Sequence, residues 1–529
     1  MDPTIVRIVV LSGLWLVWTF VLIAILLSFV FCAQTVRRRF NTTQLLGPAR
    51  NNDDLDPIGC KAKYGPVYSV PRTLFERTIV LNDASGIEHF YAQTPTVYRL
   101  TTATRRWTGN IVGEGLTWVD GAQHEAYRKV LTPLFGANAI ESHAPTFSAM
   151  AKKVHLVWEQ ALVSRPRGMV VEISHWMNSV VLDSLGLAGF GYDFNSLAGE
   201  YCPTTAAFYV LRAPVTTLSD KIFRFGPRTW FWPLLRHWPG HRNRILREFQ
   251  AVVKAMVDVV FLKQVPMTDL PKQSFIDSLM KTLAEDQLRL SPSEVATQVN
   301  TWLFSGFETT AASLTWVLIE LAKHPRIQER LKKELRQLDE AEVARQPYLH
   351  AVVYESLRLH PPIGMTTRVA IRDDVIPLSG IVMTKAGDSV NSIKIAKGTH
   401  VRVPIRPVNT SKELWGPGAG AFDPERWWNL STQDEPAPSG QKIKHLAFGD
   451  GSRACIGSGL ALAMIKVVVF TLVRRYTFAL PRGPQTPVEA VGEPVARPQV
   501  KVRGGSGGTA VMMVVRKCEF VDEPATSVL

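Results

Sequence analysis

The sequence is poor in cysteine. Its 529 residues include five, at Cys32, Cys60, Cys202, Cys455 and Cys518. An odd number at such wide spacings is not the pattern of a disulfide framework, which excludes the class of small secreted domains that depend on one. The catalytic part is therefore expected in a reducing compartment.

Other patterns are missing as well. We find no internal repeat and no G-x-G-x-x-G between a strand and a helix; the run Gly504–Gly508 indicates a hairpin loop instead. Lysines and arginines give a formal charge of +14 but lie scattered, without the interleaved aromatic residues that contact bases. Nucleic acid is therefore not an expected partner, whereas a basic surface suits an acidic membrane or protein.

The longest apolar run lies near the N-terminus, from Ile8 to Cys32. A bilayer-spanning helix needs about 20 such residues, and a cleaved signal peptide has a shorter apolar region. Three arginines, Arg37 to Arg39, follow the run, against a single Arg7 before it. The positive-inside rule therefore predicts one transmembrane anchor with everything downstream in the cytosol.

The most informative segment is Phe448-Gly449-Asp450-Gly451-Ser452-Arg453-Ala454-Cys455-Ile456-Gly457. Its glycines predict a tight loop that can fold beneath a flat ligand, and an unbroken helical pattern follows. The Cys455 sulfur then lies near a helix N-terminus, where a thiolate is favoured, and Arg453 can hold a carboxylate. Phe448 shields the sulfur, and such a thiolate suits a single soft metal bond.

A second informative segment lies inside a long helix. Ser291-Pro292-Ser293-Glu294 is a capping box, and His324-Pro325 ends the pattern after Lys323. In its middle, Ser305-Gly306-Phe307-Glu308-Thr309-Thr310 combines a glycine with polar residues. The Thr309 hydroxyl can bond the Ser305 carbonyl, which predicts a small polar notch.

The cysteine segment resembles the haem-binding loop of the cytochrome P450 family, Phe-x-x-Gly-x-Arg-x-Cys-x-Gly, at every fixed position up to Gly457. The resemblance implies heme b with Cys455 as its axial thiolate ligand. The helix segment resembles the family's Ala/Gly-Gly-x-Asp/Glu-Thr-Thr motif, which relays protons during dioxygen activation. Glu308 and Thr309 would carry that relay. Ser305 departs from the family pattern, which has alanine or glycine there.

Further segments match the family's structural motifs. Glu355 and Arg358 match its Glu-x-x-Arg helix, and Arg426 matches the arginine that completes this buried triad. His124 and Arg128 match the third-helix signature, whose members contact a haem propionate. Arg453 and, by position alone, Arg368 are the other propionate candidates.

The resemblance implies a mainly α fold with small β-sheets, preceded by the transmembrane helix. We divide the chain into an anchor (1–33), a basic, proline-containing hinge (34–50) and a haem-thiolate catalytic domain (51–529). The predicted activity inserts one oxygen atom from O₂ into a lipophilic compound by hydroxylation or epoxidation. The chain is too short to include a flavin reductase, so NADPH–cytochrome P450 reductase, with cytochrome b5 as a further candidate, would supply electrons. The expected location is the endoplasmic reticulum membrane.

Two alternatives stay open: a haem-thiolate isomerase or dehydratase, and a non-catalytic haem-binding membrane protein. The substrate pocket is predicted from position in the family pattern and is mostly apolar, which favours a terpenoid, steroid or fatty acyl substrate of fungal secondary metabolism. Its predicted residues are Trp107, Asn110, Ile111, Phe304, Phe307, Met365 and Thr366. A segment of mixed aromatic and basic residues around Trp230 suits a membrane interface.

Overall fold

A computed structural model describes residues 3–49, 57–72, 76–94, 96–199, 217–228, 232–235, 237–261, 274–285, 290–430, 445–492, 494–501 and 508–518. Helices dominate these residues, and short strands form four small sheets. The prediction of a mainly α fold with small β-sheets is therefore confirmed.

The helices of the described residues are numbered in chain order. They are α1 Pro3–Asn41, α2 Pro57–Tyr64, α3 Ala84–Ala92, α4 Thr102–Ile111, α5 Gly121–Leu131, α6 Ala137–Val163, α7 Ile173–Phe190, α8 Leu218–Phe225, α9 Trp232–Leu235, α10 His241–Phe261, α11 Phe275–Glu285, α12 Pro292–Lys323, α13 Pro325–Arg336, α14 Pro347–Leu359, α15 Ile405–Asn409, α16 Lys412–Trp415, α17 Arg426–Leu430 and α18 Ser458–Val473.

The strands are numbered in the same way. They are β1 Val67–Pro71, β2 Arg77–Leu81, β3 Tyr98–Leu100, β4 Met169–Glu172, β5 Met365–Ala370, β6 Asp374–Met383, β7 Ser389–Ile395, β8 His400–Pro404, β9 Tyr476–Ala479, β10 Val488–Val491, β11 Arg497–Lys501, β12 Gly508–Thr509 and β13 Met512–Lys517.

The chain forms two compact units, of which the first comprises residues 1–99 and 367–404. It contains a five-stranded sheet in the order β1-β2-β8-β5-β3 and the separate β6–β7 hairpin. β1 and β2 are antiparallel, with Val67 opposite Leu81, and β2 runs parallel to β8.

The second unit comprises residues 100–366 and 405–529, and α12 runs through its core. Helix α12 packs on α7, α10, α14 and α18. It begins as predicted, because the Ser291 hydroxyl accepts from the Glu294 N–H and the Glu294 carboxylate accepts from the Ser291 N–H. It also ends at Lys323, as predicted, because the residue before a proline is disfavoured in helical geometry.

The segment from Gly508 to Lys517 contributes strands to two sheets. The chain pairs with β11 through β12, then crosses to a second sheet and pairs with β4 and β9 through β13. The fully buried Val511 lies at this crossing. One apolar segment thus contributes strands to two sheets. The alternation of apolar and polar residues along it does not indicate where one strand ends and the next begins.

The predicted anchor run falls within α1. Among the residues that the structure describes, no helix has an apolar stretch long enough to cross a membrane. The predicted membrane-interface residue Trp230 lies outside the described residues, as does most of the glycine-rich run that begins at Gly504.

Candidate functional site

The loop before Cys455 is a closed turn. Gly449 and Gly451 both have φ of 66°, a left-handed conformation that favours glycine. The Cys455 N–H donates to the Phe448 carbonyl at 2.8 Å, so the two ends of the loop meet. Helix α18 begins three residues later, at Ser458. The predicted tight loop followed by a helix is confirmed.

The Cys455 thiol has solvent-accessible surface, although it lies deep within the protein. Burial raises the pKa of this thiol, and a hydrogen bond from the Gly457 N–H and the charge of Arg128 oppose that rise. The effect of burial on the thiol pKa is therefore larger than the opposing effect of the helix N-terminus, which favours a thiolate. An accessible yet deeply placed sulfur is the position expected of a side chain that faces an internal space.

Two arginines contact one carboxylate beside Cys455, and a third lies close to one of them. Arg453 contacts Asp120 and the Val119 carbonyl, and Arg105 contacts the same Asp120 carboxylate at 3.1 Å. Arg128 donates to the Ala454 carbonyl at 2.8 Å and so connects α5 to the cysteine loop. Burial lowers the pKa of Arg453, and Arg105 and Arg128 lower it further while Asp120 raises it.

This cluster fits a haem. The Arg453 Nε is buried and has no hydrogen-bond partner among the described residues. Asp120 neutralises one of three positive charges, which leaves a surplus that two carboxylates of a ligand can offset. The accessible thiol, the glycine turn and this surplus positive charge fit a flat dianionic group that Cys455 would hold through its thiolate.

The remaining predicted haem contacts have different surroundings. His124 is buried on α5, and a Cβ at Gly457 would make an ordinary contact with the Phe135 ring at 3.6 Å. Arg368 lies on β5 in the first unit and donates to the Thr367 carbonyl at 3.2 Å. Their roles as cofactor contacts stay predictions.

Helix α12 contains the predicted polar notch. The Thr309 hydroxyl donates to the Ser305 carbonyl at 2.6 Å, as expected from the sequence. Ser305 is exposed although Leu303 and Phe307 on the same helix are buried. A space therefore lies against this turn of the helix, within reach of the Thr309 hydroxyl.

Glu308, the predicted proton donor, forms an ion pair with Arg497 of β11. The Glu308 side chain is 4% exposed and that of Arg497 is 21% exposed. The carboxylate is thus nearly removed from water and held by a cation from another element. A sequence motif confined to the helix cannot indicate this partner.

The predicted structural triad is present. The Arg358 Nε and Nη2 donate to the two oxygens of Glu355 at 2.8 and 2.7 Å, and both side chains are fully buried. Arg426 reaches the same carboxylate at 3.4 Å, and the Trp427 indole donates to it at 2.9 Å. Arg358 also donates to three backbone carbonyls, those of Asn409, Ala419 and Ala421.

The predicted substrate residues of the second unit fall into two groups. The Trp107 and Phe304 rings meet edge to face at 6.3 Å, and both are partly exposed. Ile111 and Phe307 are fully buried within the core instead. Asn110, Met365 and Thr366 are partly exposed. The role of these seven residues in binding substrate stays a prediction.

Three residues of this region were missed from the sequence: Arg105, Asp120 and Arg497. Asp120 directly precedes α5, and an acidic residue before a helix is normally interpreted as a cap. Here its side chain makes no capping hydrogen bond and binds Arg453 and Arg105 instead. No local signal separates the two uses.

Comparison with known proteins agrees with this geometry. The family profile described as Cytochrome P450 matches residues 50–502. Cytochrome P450 monooxygenase claP of Ampulloclitocybe clavipes is 36% identical over 512 residues, which cover 91% of this chain and 94% of that protein. Cytochrome P450 monooxygenase 205 of Postia placenta is 30% identical, covering 84% and 85%. Ganoderic acid synthetase CYP5150L8 of Ganoderma lucidum is 28% identical, covering 80% and 83%.

Proposed function

Because the chain belongs to the cytochrome P450 family, we propose that this haem-dependent monooxygenase hydroxylates or epoxidises a lipophilic substrate. Monooxygenase activity and a haem with a cysteine thiolate ligand follow from the family and from the relatives. The predicted pocket residues are mostly apolar, which favours a terpenoid, steroid or fatty acyl compound. The Ganoderma relative is named for a biosynthetic product, and this supports a role in fungal secondary metabolism.

We assign the binding of the cofactor to the cysteine loop and its arginines. Cys455 would hold the haem, which would supply the dioxygen chemistry. Arg453 and Arg128 would hold its carboxylates. Arg453 belongs to the cysteine loop and has an unpartnered Nε, and Arg128 contacts that loop at Ala454. Phe448 would limit access of water to the sulfur.

The proton-handling part of the site would be Thr309 and Glu308. Because the Thr309 hydroxyl donates its own proton to the Ser305 carbonyl, its oxygen lone pairs face the adjoining space and can accept a hydrogen bond. Thr309 can therefore orient a water there. Glu308 lies one residue away and would exchange protons with that water after leaving Arg497.

We further propose that the run from Ile8 to Cys32 anchors the protein in the endoplasmic reticulum membrane, with the catalytic part in the cytosol. The supporting observations are the apolar composition of the run and the following Arg37 to Arg39. Electrons would come from NADPH–cytochrome P450 reductase, with cytochrome b5 as a further donor.

Cys455→Ala is expected to remove the thiolate-type Soret band of the reduced, CO-bound protein, because the sulfur is the proposed axial ligand. Absorption spectra of the purified full chain measure this directly. Cys518→Ala is the control, because Cys518 is also a free cysteine but is buried and lies after β13, away from the glycine loop. Survival of the thiolate band in Cys455→Ala would exclude Cys455 as the ligand.

Thr309→Ala is expected to keep haem and substrate binding while lowering the product formed per NADPH oxidised several-fold, because the hydroxyl that orients the water is lost. The electrons would appear as hydrogen peroxide or superoxide. Thr297→Ala is the control, because Thr297 makes the same hydroxyl-to-carbonyl bond, 2.9 Å to Ser293, near the start of α12. An unchanged ratio in Thr309→Ala would assign the relay to Glu308 or Ser305.

A further inference from the structure

The first unit contains a small polar cavity where α1 ends, and the monooxygenase activity does not use it. Its volume is about 40 Å³, several times the roughly 10–15 Å³ that one water needs. The wall is built from the end of α1, the segment after it, β1, β2 with the residue before it, and the turn that leads into β8. Its charged residues are Arg38, Arg39, Arg77 and Glu76.

The charges of this wall are unbalanced. Glu76, its one carboxylate among the described residues, is already shared by two arginines, at 2.8 Å from Arg38 and 3.3 Å from Arg72. Arg77 hydrogen-bonds neutral oxygens, the Ser69 hydroxyl at 2.7 Å and the Pro48 carbonyl at 3.0 Å. Arg39 lies close enough to lower the pKa of Arg77, in addition to the effect of burial.

His400, at the start of β8, experiences the same positive field. Burial and the charges of Arg72, Arg38 and Arg402 lower the pKa of this histidine to about 3. It is therefore neutral at physiological pH and adds no charge of its own. The positive charges that disfavour a protonated His400 would favour an anion at the same place.

Two buried polar atoms of this wall have no hydrogen-bond partner within the described part of the chain: the Thr35 Oγ1 and the Arg38 Nε. Thr35 is 6% exposed and lines the cavity. An unpaired buried donor costs about 1–3 kcal/mol, so a ligand that accepts from both would be favoured. Gly398 has φ of +85°, and a Cβ there would lie 2.7 Å from the Arg38 guanidinium, so glycine leaves room for this arrangement.

Cations near a helix C-terminus also offset the helix dipole, which accounts for arginines at the end of α1. That effect does not account for Arg77, which belongs to β2, or for the unpartnered Thr35 hydroxyl. We propose that this cavity binds a phosphate group, held by Arg38, Arg39 and Arg77 with the Thr35 hydroxyl. The phosphate is either free or the headgroup of an anionic lipid, and the lipid source rests on the proposed membrane anchor.

The test measures inorganic phosphate binding to the full chain in detergent, by thermal unfolding at constant ionic strength with chloride as the balancing anion. Arg39→Gln should weaken phosphate binding about tenfold or more, as expected for the loss of one charge-assisted hydrogen bond. Arg37→Gln is the matched control, because it removes the same charge from the same end of α1 but does not line the cavity. Equal losses in the two variants would overturn the site in favour of general surface charge.

Thr35→Val separates ligand binding from folding. It replaces the unpartnered hydroxyl by a methyl group of similar size, so the melting temperature without phosphate should rise slightly while phosphate affinity falls. An unchanged phosphate affinity in this variant would remove Thr35 from the site.

Nanodiscs identify the source of the phosphate. The full chain is inserted into phosphatidylcholine nanodiscs with or without phosphatidic acid and then released from them. Native mass spectrometry of the released protein detects any lipid that it retains. Retention of phosphatidic acid by the wild type and by Arg37→Gln, but not by Arg39→Gln, assigns a lipid headgroup. If the wild type binds inorganic phosphate but retains no phosphatidic acid, the ligand is a free phosphate. The proposal would be overturned if the wild type bound neither inorganic phosphate nor phosphatidic acid more strongly than Arg39→Gln does. All these measurements are made without turnover, so their failure leaves the monooxygenase assignment unaffected.

Discussion

Arg358→Ala is expected to lower the free energy of unfolding by about 3–5 kcal/mol, because it leaves the Glu355 carboxylate buried with much of its charge compensation removed. Typical domains have about 5–15 kcal/mol in total, so this loss is a large share. Both side chains are fully buried, and Arg358 makes five hydrogen bonds, to Glu355 and three backbone carbonyls. The variant should therefore fail to retain haem, although Arg358 belongs to no proposed cofactor or substrate contact.

Denaturant unfolding and haem content of the purified protein test this expectation. Arg330→Ala is the control, because Arg330 pairs with Glu334 and Glu425 at the surface and its side chain is 43% exposed. Exposed pairs contribute about 0–1 kcal/mol, so this variant should keep its haem. An Arg358→Ala protein that unfolds like the wild type and binds a full complement of haem would contradict the structural role.

The contrast between predicted and missed contacts follows from sequence separation. Glu355 and Arg358 lie three apart on one helix, and Ser305 and Thr309 lie four apart, so helix geometry alone brings each pair together. Both contacts are present in the structure. Residue spacing within a single element therefore predicted these two contacts, whereas the burial of the Glu355–Arg358 pair was implied by the resemblance to the family.

Contacts that depend on how separate elements pack were not predictable in this way. Arg497 reaches Glu308 across 189 positions, and Arg453 reaches Asp120 across 333. Arginines near the C-terminal strands carry no local pattern that distinguishes an ion-pair partner of the helix from a surface residue. The positive charge beside Glu308, the proposed proton donor, thus depends on how separate elements pack and not on any local sequence pattern.

The burial of Phe307 has a related cause. Phe304 and Phe307 lie three apart, but Phe307 is fully buried whereas Phe304 is partly exposed beside Trp107. Helix α12 is surrounded by α7, α10, α14 and α18, so apolar residues on most of its faces are buried. Apolar character alone therefore does not distinguish a core position from one that faces an open space.

Glu308→Gln is expected to lower the rate of product formation by about 10²–10⁴-fold, the range for loss of a positioned proton donor. The amide keeps the size of the side chain and its capacity to accept a hydrogen bond from Arg497, but it cannot exchange a proton in the same way. Haem content, CO binding and substrate-induced Soret shifts should stay close to those of the wild type. The measurements are the rate of product formation and the product formed per NADPH oxidised, with reductase in excess.

Arg497 should act only through Glu308, as a positioning residue. Arg497→Gln alone removes the cation that pairs with the nearly buried Glu308 carboxylate and is expected to change the ratio of product to NADPH. Added to Glu308→Gln, it should change that ratio no further, because residues that act as a unit are not additive. Lys501→Gln is the control from the same strand, since its pair with Glu489 at 2.8 Å is exposed. Additive losses in the double variant would show that Arg497 acts independently of Glu308, and the ion pair would then be structural.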